Sequence, residues 1–77
     1  MTSKEMKARS LVGYSSAEEA IASAESLGNV AFYRPARHQF LTCTRTYVEG
    51  LIAWQTPVAV LSLRSGKVVM DWHNSVN

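Results

Sequence analysis

The spacing of apolar positions changes from helical to alternating part-way along the chain. In YSSAEEAIASAESLG, residues 14–28, Ala17, Ala20, Ile21, Ala24 and Leu27 recur on one helical face, and Glu18, Glu19 and Glu25 fall largely off it. Ser16 stands three residues before Glu19, the spacing of a capping box: the serine oxygen accepts an amide hydrogen of the first turn while the glutamate reaches back. Gly28 suits a left-handed stop. The pattern predicts a helix over 16–27. Its buried face is mostly alanine, so it must lie close against a sheet, with Ile21 and Leu27 supplying most of its grip.

From PVAVLSLRSGKVVMDW, residues 57–72, the period is two. Two β-branched runs flank Ser65-Gly66, a pair suited to a tight hairpin turn. With those two residues as the loop, Leu63 faces Val68, Leu61 faces Met70 and Ala59 faces Trp72, all on one side of the ribbon. The other side carries Arg64 with Lys67, Ser62 with Val69, Val60 with Asp71 and Val58 with His73. That side is half polar, fit for water or a partner.

Between helix and hairpin, NVAFYR (29–34) and HQFLTCTRTYV (38–48) read as strands because they are rich in Val, Phe, Tyr and Thr. Pro35 breaks the ladder, so 34–37 is a turn between antiparallel neighbours. In VEGLIAWQT, 48–56, Glu49-Gly50 closes another hairpin or Tyr47–Trp54 forms a short helical turn; the hairpin is the favoured reading. ARSLVGY, 8–14, is a short first strand or an arm, and residues 1–10 are expected to be a flexible arm. The expected fold is a single α+β domain over 1–77, one amphipathic helix packed on an antiparallel sheet of three to four strands.

Size and composition narrow the function classes. A chain of 77 residues has little core to spare. Its one cysteine, Cys43, cannot close an intrachain disulfide, which points to a reducing, cytoplasmic setting. The apolar runs are far shorter than a membrane span needs and the first ten residues are charged, so neither a membrane anchor nor a secretory signal is expected. The net charge is +2, unevenly spread: Glu18, Glu19 and Glu25 make the helix acidic, while Arg34, Arg37, Arg45, Arg64 and Lys67 make the strand region basic.

Catalytic chemistry finds few ingredients. Cys43 with His38 or His73 could supply a thiol and a base, but His38 and Cys43 fall on opposite faces of one regular strand and no nucleophile motif surrounds the cysteine. A buried strand cysteine acting as a small hydrophobe is the simpler reading. Asp71 and His73 point the same way along a strand and could share an ion, yet two ligands make a surface contact more readily than a metal site. Glycines 13, 28, 50 and 66 form no phosphate-binding fingerprint. No enzyme activity, metal or cofactor is expected.

Binding remains. FYRPARHQF, residues 32–40, gathers two arginines and a histidine around a proline with aromatics on either side. Two readings compete with that of an ordinary solvated turn. In the first, a larger protein or complex is the partner: one helix shields one sheet face and leaves Tyr47, Trp54, Val58, Val60 and Val69 over, with Tyr33, Arg34 and Arg37 as contacts and Trp54 as apolar anchor. Small inhibitors encoded by phages and mobile elements, anti-CRISPR proteins among them, share this size and architecture, an analogy of build alone. Self-association as a homodimer would use the same surface or a sheet edge. In the second, Arg34, Arg37, His38, Arg45, Arg64 and Lys67 neutralise nucleic-acid phosphates while Tyr33 and Tyr47 stack on bases.

Overall fold

The computed structural model describes residues 10–74, and the expected arm over 1–10 lies almost wholly outside them. In chain order the elements are β1 (Val12–Tyr14), α1 (Ala17–Leu27), β2 (Val30–Arg34), β3 (Gln39–Cys43), α2 (Arg45–Ala53), β4 (Val58–Arg64) and β5 (Lys67–His73). The strands form one antiparallel sheet in the order β1-β3-β2-β4-β5. The fold is therefore α+β as expected, but with five strands and two helices in place of three to four strands and one helix.

Helix α1 begins where its cap places it. Ser16 is extended and its side chain accepts from the Glu19 amide at 3.2 Å, while Gly28 ends the helix at φ 71°. The reciprocal half of the capping box is absent: the Glu19 carboxylate instead accepts from the Ser15 hydroxyl at 3.0 Å. Ala17, Ala20, Ile21 and Ala24 are buried. Alanine on that face lets the helix axis approach the sheet, where it meets Ala31 and Leu61, with Tyr14, Tyr33, Phe40 and Val68 packed around them. The Tyr14 and Ser23 hydroxyls are hydrogen-bonded, fastening β1 to α1.

Helix α2 replaces the hairpin expected over 48–56, and the strand expected over 38–48 stops at Cys43. The physical reason is local. The Thr44 side chain accepts from the Tyr47 amide at 3.3 Å, so the chain is capped into a helix directly after β3. Val48, Leu51 and Ile52 then share one helical face and pack on the sheet side opposite α1, over a second core of Phe32, Leu41, Cys43, Val48 and Val58. Gly50 sits inside the helix instead of in a turn. Beyond the helix, Gln55 takes the left-handed conformation at φ 60°, and the Ile52 carbonyl accepts from the Asn74 side chain at 2.8 Å.

The β4–β5 register is the expected one at every position, from Arg64↔Lys67 to Val58↔His73. Ser65 at φ 52° and Gly66 at φ 75° form the two-residue turn with both central residues left-handed, which matches the twist of the flanking strands. Strand β2 joins β4 across only two registered pairs, Phe32↔Val60 and Tyr33↔Ala59.

Candidate functional site

The alternation of each strand sorts the sheet into two faces. Tyr33, Phe40, Leu61, Leu63, Val68, Met70 and Trp72 face the α1 side; Phe32, Leu41, Val58, Val60, Asp71 and His73 face the α2 side. Helix α1 lies mainly over β1, β3, β2 and β4, and of β5 only Val68 packs against its core. Leu63, Met70 and Trp72, expected on the core side of the hairpin, are consequently left 45%, 37% and 43% exposed. They form an apolar strip along the outer half of the sheet. At one end of it, the Trp72 ring meets Tyr33 edge-on at 6.1 Å and Tyr33 tilts against Phe40 at 5.1 Å. The Tyr33 hydroxyl and His38 Nδ1 share a hydrogen bond of 3.2 Å, tying the strip to the Pro35–His38 turn.

The surplus apolar surface predicted for the other face is mostly covered. Val58 is fully buried and Val60 half-buried beneath α2, and Tyr47 stands on that helix with its ring 6.3 Å from Phe32. Trp54, the proposed anchor, is 85% exposed at the end of α2, away from the strip. A shallow cleft of about 300 Å³ remains on the α2 side, with Val30, Val48, Ile52 and Val60 as its apolar lining and Arg45, Glu49, Asp71 and His73 as its polar one. Here His73 Nε2 lies 3.5 Å from the Asp71 carboxylate. No group of three or more metal-ligating side chains occurs among the described residues.

The basic residues separate into two groups. Tyr33 pairs with Ala59 and Val30 with Cys43, so Arg34, Arg37 and His38 occupy the end of the sheet where β4 begins. Arg64 and Lys67 close the hairpin at the far end of β4, about 20 Å away along a seven-residue strand, and Arg45 follows Cys43 at that same end. Arg37, Arg45, Arg64 and Lys67 are exposed. Arg34 is half-buried on the α2 face, with its Nε buried and unpartnered. Arg45 and Tyr47 belong to α2 and not to a strand, so they do not contribute to the basic sheet face expected for stacking on bases.

Cys43 is 4% exposed, enclosed by the α2-side core. His38 lies in the turn before β3, at the opposite end of that strand from Cys43, with φ 51°. Thr42, the one fully buried polar residue among the described ones, also stands with its hydroxyl unpartnered, beneath α1 and outside that cleft. The exposure of Leu63, Met70 and Trp72 is not legible in the sequence because alternation reports which residues share a face and not how far a helix extends over it. The available signal was the short grip of α1, whose alanine face is too narrow to cover five strands. No helix among the described residues is long and apolar enough to cross a membrane. No family profile matches the chain, and neither a curated protein nor a solved structure matches it significantly.

Proposed function

We propose that this chain is a non-enzymatic binding protein that acts by occupying a surface of a larger protein. The observation that supports it is the strip of Leu63, Met70 and Trp72, three large exposed apolar side chains gathered on one face of the outer hairpin. Aromatic and long aliphatic groups of this kind, half-exposed before binding, are what a partner desolvates most profitably. Tyr33 and His38 continue the strip, and Arg37 on the adjoining turn supplies polar contacts at its rim. Inhibition of the captured protein, as small phage-encoded inhibitors achieve, is the activity this reading extends to.

Capture from a cell lysate tests it with three baits: the native chain, a Met70→Ser/Trp72→Ser variant and Trp54→Ala. The expected result is one set of captured proteins with the native chain and Trp54→Ala, and its loss with the strip variant. Undiminished capture by the strip variant would refute the strip assignment. Nucleic-acid binding through Arg34 and Arg37 is the competing reading, and the division of the cations between opposite ends of the sheet weighs against a continuous phosphate track. Anisotropy titrations with labelled DNA and RNA at two salt concentrations separate the two: tight, salt-sensitive binding abolished by Arg34→Glu/Arg37→Glu favours nucleic acid.

A further inference from the structure

Among the described residues nothing pairs with the outer edge of β5, a seven-residue strand, whereas the opposite edge of the sheet, β1, is three residues long. We propose that two copies of this chain join edge to edge through β5, antiparallel about a two-fold axis, in the register that sets Val69 against Val69.

Symmetry limits the choices. An axis that pairs two antiparallel edges stands normal to the sheet, so facing residues share a face and their numbers sum to an even total. With Val68 on the axis, Lys67 meets valine. With Met70 there, Lys67 meets His73 and Asp71 is set against Val69. With Asp71 there, two carboxylates collide. With Val69 on the axis, Lys67 faces the partner's Asp71 and Asp71 faces the partner's Lys67, while Val68 and Met70 pair on the other side of the sheet. A lysine and a mid-strand carboxylate on an edge ordinarily deter pairing. In this register they attract twice over.

Hydrogen bonding agrees with the same register. The two-residue turn closes on Arg64 and Lys67 as a hydrogen-bonded pair, so the backbone groups of Lys67, Val69 and Asp71 turn inward to β4 and those of Val68, Met70 and Trp72 turn outward. Val68 and Met70 then exchange bonds across the axis. The Lys67 and Asp71 pairs fall at the non-hydrogen-bonded sites, where side chains are closest, with Cα atoms about 4.5 Å apart. Trp72 comes opposite Gly66, whose missing side chain leaves room for the indole. This dimer goes beyond the binding role above and does not depend on it: the apolar strips of the two copies stay open on one face, now side by side.

Sedimentation equilibrium over a concentration series tests the dimer. The native protein should approach twice the 8.5-kDa chain mass. Lys67 and Asp71 are exposed, so their replacement leaves the fold intact. Lys67→Asp or Asp71→Lys alone should weaken dimerisation about tenfold or more, and the double swap Lys67→Asp/Asp71→Lys should restore it. Val69→Cys should oxidise to a covalent dimer, since a non-hydrogen-bonded pair on the axis brings the two thiols within disulfide reach. A protein that remains at 8.5 kDa and gives no Val69→Cys cross-link overturns the proposal. So does a dimer indifferent to both single reversals, or one that the swap fails to restore.

Discussion

Strands β2 and β3 have a helix over each face, whereas no residue of β5 is fully buried, although both regions carry large aliphatic and aromatic side chains. In the first region every second residue of β2 goes to a different core: Ala31 and Tyr33 beneath α1, Phe32 beneath α2. In the second, the same alternation leaves Met70 and Trp72 in water on one side and Asp71 and His73 on the other. The comparison teaches that composition alone does not divide core from contact surface. The division is made by how far two short helices reach across five strands.

Truncating Phe32, which is fully buried at the centre of the covered half, is expected to have the largest effect: Phe32→Ala should lose about 3–5 kcal/mol by urea denaturation, enough to leave so small a domain largely unfolded. A mutant that kept native stability would show that the core is not where the two halves differ. Removing the α1 cap with Ser16→Ala should cost about 1 kcal/mol, seen as a lower denaturation midpoint at unchanged slope. Helix α2 offers the opposite sign. A Cβ on Gly50 would meet nothing within 4 Å, so Gly50→Ala should stabilise the protein by about 0.5–1 kcal/mol through the helical backbone, raising the midpoint. In the uncovered half, Trp72→Ser should cost only about 1 kcal/mol, chiefly the edge-on contact with Tyr33, while altering partner capture. A large loss of stability there would recast the strip as core.

The elements that declared themselves in the sequence are those whose signals are local. Ser16, the alanine face and Gly28 marked α1, and Ser65-Gly66 between alternating runs specified the β4–β5 register residue by residue. Helix α2 is masked in the sequence because TCTRTYV carries strand-favouring residues and Glu49-Gly50 has the composition of a turn. Thr44 three residues before Tyr47, followed by Val48, Leu51 and Ile52 at helical spacing, was the stronger signal, since a cap and an apolar face act together. The basic corner around Arg34 and Arg37 was visible from composition. Its separation from Arg64 and Lys67 was not, because it depends on how β2 and β4 are paired, a long-range fact. The strip of Leu63, Met70 and Trp72 was hidden for the same reason.

The two-pair junction between β2 and β4 carries a kinetic consequence. The β2–β3 and β4–β5 ribbons each close over a short turn, so their loop-closure entropy is small and they are expected to form early. Joining them at Phe32 and Val60 requires the intervening chain, α2 included, to be in place. That seam is expected to form late, and because both cores straddle it, with Ala31 and Leu61 in one and Phe32 and Val58 in the other, it closes cooperatively with them. In amide hydrogen exchange the β2 and β4 amides at this seam should therefore exchange only by global unfolding, while the three-residue β1 opens at a lower free energy.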